Sequence, residues 1–363
     1  MKTTAKITAL GAIVLAIGIC PKSVIAKPLN SSSVNTPRSD LPSAAGEKIP
    51  ASLAVSSSSA SLSISDTHIN KANKDTHDKN NNNHDTHAKS IGAERNEIAV
   101  NPSENLTQVP YGALGVLPMR EHDEQFNYGS GPLQQVYVWH GRDKQAKTFS
   151  RKALVFVHGG CWLNAYGYEH AKGMYSALAD LGMGVYVMEY RRVGDDGGGW
   201  PGSLIDVTNA INASLERIKV EGDYSQTYIA GHSAGGHLAL LAAQQLSERF
   251  PSYGVKRVFG LAAITDIQSY ALGTNSCQTA TEAFMKGKPT ENPDAYQNAA
   301  PSAKHIDTPI VLLQGDADSI VPVQHATMAG AEKRIIKNGG HFDWLHPEST
   351  SFDALLEVIG EHD

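Results

Sequence analysis

From about residue 107 to the C-terminus, short β-branched or apolar runs alternate with longer segments whose apolar positions recur at helical spacing. The runs are Gln135 to Trp139, Ala153 to Val157, Gly184 to Met188, Thr227 to Ala230, Val255 to Ala262, Pro309 to Leu313 and Arg334 to Ile336. The helical segments are Glu169 to Leu181, Leu204 to Val220, Gly236 to Glu248, Val323 to Gly330 and Ser351 to Ile359. Such alternation predicts βα units around a largely parallel sheet. The runs are apolar almost without interruption, which predicts strands buried on both faces. The expected architecture is therefore α/β, a mostly parallel central sheet flanked by helices on both faces. Its ligand site is expected beyond the C-terminal ends of the strands.

The pattern upstream is different. Lys2 and Lys6 precede an apolar run from Ile7 to Ile19, and Val24-Ile25-Ala26 supplies short residues where a signal peptidase reads. Residues 1–26 are read as a signal peptide, because about 13 apolar residues fall short of the roughly 20 that span a bilayer. Lipid attachment at Cys20 is disfavoured by the bulk of Ile19 before it. Export to the periplasm or the medium is the expectation. Residues 27–106 are rich in Ser, Asn, Asp, Lys and His with almost no aromatics. They bury too little apolar surface to offset the entropy of ordering and are read as a disordered linker. Asp-Thr-His recurs there at 66–68, 75–77 and 85–87, with His84 beside the last copy. A polar spacer is the expectation, since the spacing fits no defined zinc site, while loose binding of a divalent metal is left open.

Of the 363 residues, 107–363 remain as one folded domain. That length supports a single core removing roughly three quarters of the unfolded surface from water. Losing Lys2, Lys6 and Lys22 with the leader takes the formal charge from −6 to −9. A chain that acidic is a poor partner for nucleic acid or an anionic membrane. Only Cys161 and Cys277 survive processing. They make no disulfide framework; one bridge between them is permitted in an oxidising compartment, and distances decide it.

Three motifs carry candidate chemistry. Gly231-His232-Ser233-Ala234-Gly235 follows the apolar run Tyr228-Ile229-Ala230 and leads straight into a helical segment. A serine on a sharp strand-to-helix turn needs neighbours without bulk two positions away on each side, and Gly231 and Gly235 supply them. The turn lifts the Ser233 hydroxyl above the sheet and sets the Ala234 N–H at a helix N-terminus, where it can stabilise an oxyanion. Leu154 to Val157 runs into His158-Gly159-Gly160-Cys161-Trp162. There the amides of Gly159 or Gly160 can supply the other oxyanion donor, and His158 is expected to brace the loop. Trp162 is either a pocket wall or core; Cys161 and His232 are further pocket candidates.

The third motif is split between two strand ends. Gln314-Gly315-Asp316-Ala317-Asp318 follows one buried run, and Asn338-Gly339-Gly340-His341-Phe342-Asp343 follows the last. Asp318 is the candidate for orienting a histidine, with Asp316 as the fallback that more naturally caps the turn. His341 is the candidate base; His346 and His325 compete from less glycine-rich surroundings. The order Ser233, Asp318, His341, each at a strand end, points to acyl transfer. His341 takes the Ser233 proton, Asp318 holds the imidazole, and water hydrolyses an acyl-enzyme.

With Glu189-Tyr190-Arg191-Arg192-Val193-Gly194 and Gly197-Gly198-Gly199-Trp200-Pro201, these motifs make residues 107–363 resemble the α/β-hydrolase superfamily, in its carboxylesterase and kynurenine-formamidase-like group. The resemblance implies the α/β-hydrolase fold and carries over Ser233, Asp318 and His341 as the triad, with Gly159, Gly160 and Ala234 at the oxyanion. Cys161 departs from the aromatic or glycine usual in that group, which implies a differently shaped acyl pocket. An export signal also fits poorly with kynurenine formamidase activity, which members of that group perform inside cells. The expected function is hydrolysis of carboxylic esters of small acyl groups. An arylformamidase, amidase or peptidase with the same triad is the alternative among enzymes, and a non-catalytic binding protein on the same scaffold is the alternative outside them. The chemistry needs no metal or organic cofactor, and oligomeric state is left open. The segment Arg191 to Pro201 is read either as a loop at the site entrance or as a plain connector.

Overall fold

Every apolar run becomes a strand. In the computed structural model, which describes residues 106–142, 149–304 and 306–361, the strands are β1 (Glu124–Asn127), β2 (Gln135–Trp139), β3 (Lys152–Val157), β4 (Gly184–Met188), β5 (Gln226–His232), β6 (Val255–Leu261), β7 (Ile310–Gly315) and β8 (Glu332–Ile336). The α-helices are α1 (Tyr111–Leu114), α2 (Lys172–Asp180), α3 (Gly202–Glu221), α4 (Ala234–Leu246), α5 (Ile267–Tyr270), α6 (Ser276–Met285), α7 (Pro293–Asn298) and α8 (Thr350–Gly360). The segments read as a signal peptide and, as far as residue 105, as a linker lie outside the described residues.

The strands form one sheet in the order β1-β2-β4-β3-β5-β6-β7-β8. β1 and β2 pair antiparallel, as do β2 and β4; from β4 across to β8 every pairing is parallel. The side-chain period of two sends Val155 and Val157 of β3 into one core, with α3 and α4, and Leu154 and Phe156 into the other, with α2 and α8. Both faces are thus covered, which is why the strands are apolar at almost every position. α4 is apolar nearly all round because it is buried on nearly every side.

Several regions differ from the sequence expectation. Val323 to Gly330 forms only a 3-10 turn, Val323–His325, because the His325 carbonyl accepts from Thr265 Oγ1 at 2.8 Å rather than from a further helical turn. Between β6 and β7 the chain inserts α5, α6 and α7, short and rich in polar residues, which the apolar pattern did not reveal. β1 was equally hidden, since its four residues are half exposed and polar in the main.

His237 of α4 ties the sheet's helical layer to this insertion. Its Nε2–H donates to the Ala299 carbonyl at 2.7 Å, and its ring meets Trp162 edge to face. Burial pushes its pKa down from 6.5 to about 4. Between those two values the unfolded chain holds a proton that the folded chain does not, so stability falls as pH drops through this window. The His237 contribution is about 3 kcal/mol by pH 4. Urea unfolding from pH 7 to pH 4.5 is expected to show a declining midpoint, and His237→Phe a shallower decline.

Candidate active site

Ser233 stands alone between the last residue of β5 and the first of α4. Its backbone is at φ 57°, ψ −122°, a region that L residues adopt only when the surroundings enforce it. The enforcement is visible. The Ser233 N–H donates to Leu261 of β6 at 2.9 Å, and the Ser233 carbonyl accepts from His237 N–H at 3.1 Å. A Cβ on Gly231 would overlap the Gly235 carbonyl, and one on Gly235 would overlap the carbonyls of Val157 and His158. These two glycines let α4 turn back directly against β3 and β5.

β7 and β8 deliver the other two groups to the same edge. Asp318 Oδ1 accepts from the N–H groups of Ile320 and Val321, each at 2.8 Å. Its Oδ2 accepts from Gln314 Nε2 at 3.0 Å and from His341 Nδ1 at 2.7 Å. The carboxylate is buried and fully occupied, so it fixes the His341 ring with Nε2 as the remaining nitrogen. Asp316 instead is exposed and accepts from Asn338 N–H at 2.6 Å, bracing the turn. Of the two carboxylates, Asp318 is the one that meets the histidine.

The loop bearing His341 is held from two further directions. Asp343 accepts from the N–H groups of Gly340 at 2.7 Å, Val109 at 2.7 Å and Gln108 at 3.0 Å. His232, directly before Ser233, donates from Nε2 to the His341 carbonyl at 2.9 Å. Burial, and then the neighbouring His341, push the His232 pKa well below its ordinary value. It therefore stays neutral and keeps this bond. Ser233 and His341 line one cavity of about 310 Å³. They share it without a direct hydrogen bond between them.

The glycine loop after β3 closes over the cavity from the third side. Gly160, Cys161 and Trp162 have consecutive positive φ angles, 116°, 54° and 58°. A Cβ on Gly159 would press on the His232 ring and on Ser233. His158 braces the loop: Nδ1 faces the Gly159 carbonyl at 2.7 Å and Nε2 faces Glu189 Oε1 at 3.0 Å. Burial alone would raise the Glu189 pKa, but His158 and Arg192 outweigh it and hold the carboxyl below its usual range. The segment from Arg191 to Pro201 contributes nothing to the cavity lining. It supports the loop from behind, with Val193 N–H donating to the Trp162 carbonyl at 2.8 Å.

Cys161 and Cys277 are joined by a disulfide with Cα atoms 4.9 Å apart. The bridge lines the cavity and ties the glycine loop to the start of α6. Asn275 caps that helix and also donates from Nδ2 to the Ile320 carbonyl at 2.9 Å, so α6 anchors the Asp318 loop as well. Trp162 is core, not wall: it is fully buried and stacked on Phe284, with ring centroids 4.7 Å apart. Gly160 and His232 do line the cavity; Ala234, the first residue of α4, is buried directly after Ser233 and is not part of the lining. His346 and His325 are buried elsewhere and line no part of it.

Tyr111, Tyr166, His170, Ser276, Ile320 and Phe342 complete the lining. They come from a one-turn helix, loops and the insertion, and carry no spacing signal that sequence reasoning can use, apart from Phe342 beside His341. Among the described residues no group of three or more His, Cys, Asp or Glu side chains could hold a metal ion. None of their helices is long and apolar enough to cross a membrane.

A serine on a strained strand-to-helix turn, facing an Asp-bound histidine across a parallel sheet edge, is the arrangement of the α/β-hydrolase fold. Solved structures agree on that fold: esterase B from Lactobacillus rhamnosis superposes with a TM-score of 0.53 at 18% identity, covering 69% of this chain and 88% of its own. An esterase from Pyrobaculum calidifontis gives 0.51 at 17%, covering 69% and 86%. The chain belongs to the BD-FAE family, whose model matches residues 142–331. Two proteins of Mycobacterium tuberculosis are similar in sequence. Esterase LipC is 26% identical over 220 residues, which is 56% of this chain and 53% of LipC. The probable carboxylic ester hydrolase LipM is 29% identical over 235 residues, 61% of this chain and 53% of LipM. The chain spans about half the length of these curated relatives.

Removing the Asp343 carboxylate would orphan three N–H donors, two of them in buried bonds, and release the His341 loop from residues 108 and 109. Asp343→Ala is expected to lower stability by on the order of 3 kcal/mol, read as a fall in thermal midpoint, while Asp353→Ala on the exposed face of α8 leaves the midpoint unchanged.

Proposed function

We propose that this protein is a serine hydrolase that cleaves carboxylic esters of small acyl groups through an acyl-enzyme. The observation that carries the reading is the Asp318–His341 hydrogen bond beside the Ser233 hydroxyl in one cavity. Ser233 is the nucleophile. His341, its Nδ1–H held by Asp318, accepts the Ser233 proton at Nε2 during attack on the ester carbonyl and returns it to the departing alcohol. The carbonyl oxygen becomes an oxyanion, for which the amides of Ala234, at the α4 N-terminus, and of Gly159 or Gly160 are the donors. Water then repeats the sequence on the acyl-Ser233 ester, with His341 again the base.

A cavity of about 310 Å³ bounded by a disulfide, Ile320 and Phe342 suits a short acyl chain better than a long one. The names of the relatives favour esters over amides as substrates. The Cys161–Cys277 bridge supports the export expected from the leader, because such bridges persist in oxidising compartments.

The test is a panel of p-nitrophenyl esters of increasing acyl length, with N-formylkynurenine and aminoacyl amides, at one enzyme concentration. Short esters are expected to be turned over fastest; preferential cleavage of the formamide or the amides would replace this reading by its alternative. Ser233→Ala is expected to lose on the order of 10⁴-fold or more in kcat. Asp318→Asn is expected to lose about 10⁴-fold with little change in KM, since the carboxamide holds the wrong imidazole tautomer. A Ser233→Ala protein as active as the parent would refute the mechanism.

A further inference from the structure

We propose that His170 recognises a hydroxyl group on the substrate, so that hydroxylated esters are the class this cavity selects. The proposal rests on the ester-hydrolase reading above and names the substrate class of the same site. His170 lies in the turn before α2, and its ring lines the cavity that Ser233 and His341 share.

The tautomer follows from geometry. Nδ1 is 2.6 Å from the Gly167 carbonyl oxygen, which can only accept, so Nδ1 carries the hydrogen and donates. In the neutral ring Nε2 is then a lone-pair acceptor. Burial, and then the neighbouring His158, push the His170 pKa down to about 4, so the neutral form holds at physiological pH. No donor reaches Nε2 among the described residues. The nearby rings are committed elsewhere: His158 to Gly159 and Glu189, His232 to the His341 carbonyl. Tyr111 stands 6.0 Å from His170 between centroids, without a hydrogen bond to it.

An acceptor half-withdrawn from water in a cavity wall costs free energy unless a ligand brings a donor. Sites built around such a group favour the hydroxylated ligand over its deoxy analogue, because the analogue displaces water and leaves the acceptor unpaired. The hydroxyl can belong to the acyl or the alcohol half of the ester, and these are separable by experiment. The remaining lining includes Tyr111 and Tyr166 beside apolar Ile320 and Phe342.

The experiment compares two matched pairs. One is p-nitrophenyl 3-hydroxybutyrate against p-nitrophenyl butyrate, the other glyceryl monobutyrate against propyl butyrate. The parent enzyme is expected to prefer the hydroxylated member of one pair by about tenfold or more in kcat/KM. His170→Phe is expected to bring that ratio close to one. His170→Gln, which keeps an acceptor near the Nε2 position, is expected to retain part of it, and serves alone if the Phe variant fails to fold. A parent ratio near one in both pairs, or a ratio unchanged in a folded His170 variant, overturns the proposal. Failure to hydrolyse any of the four esters overturns the ester-hydrolase reading itself, and is thereby distinguished from loss of preference.

Discussion

The backbone of Ser233 is the constraint on which the site depends. A non-glycine residue at φ 57° is unfavourable in isolation, and here the neighbours leave it no other conformation. Its N–H is fixed to β6, and its carbonyl starts α4. The flanking glycines bring α4 so close to β3 and β5 that no side chain fits between. The strain is offset by sheet pairing and by the burial of α4. The result is a serine that lines the cavity at the N-terminus of α4.

The other parts of the site are loops, and each is fixed by groups that themselves have little freedom. The His341 loop is held by the Asp318 side chain, by the His232 ring and by the Asp343 carboxylate that gathers backbone donors from two segments. The glycine loop is held by the buried His158, Glu189 and Arg192 cluster and by the disulfide. α6, through Asn275 and Cys277, touches both the Asp318 loop and the glycine loop. The loops that carry Asp318, His341 and the glycine turn are therefore each tied to the scaffold by more than one bond.

Much of this was legible in the sequence. All seven apolar runs fold as strands with ends within two residues of the expectation, because buried parallel strands cannot tolerate polar positions and so announce themselves. Glycine spacing and strand ends point to Ser233, His341 and Asp318, and the fold brings all three to one edge. What stayed hidden lacked a periodic signal. β1 is short and half exposed; α5, α6 and α7 are short segments whose fold is fixed by a capping box, a disulfide and contacts distant in sequence. Val323 to Gly330 has helical spacing, yet Thr265, some sixty residues earlier, captures the carbonyl that a helix would need. For Trp162 the sequence allows either wall or core, and only the position of Phe284 decides it. His170 has no motif at all; it reaches the cavity lining from a turn whose spacing carries no signal.

The most direct measurement is a rapid-quench reaction with p-nitrophenyl acetate, following p-nitrophenol release and the intact mass of the protein. A burst matching the enzyme concentration, with one acetyl group mapped by peptide mass to Ser233, is the outcome required. Steady turnover without a protein adduct, or an acetyl group mapped to another residue, would contradict it.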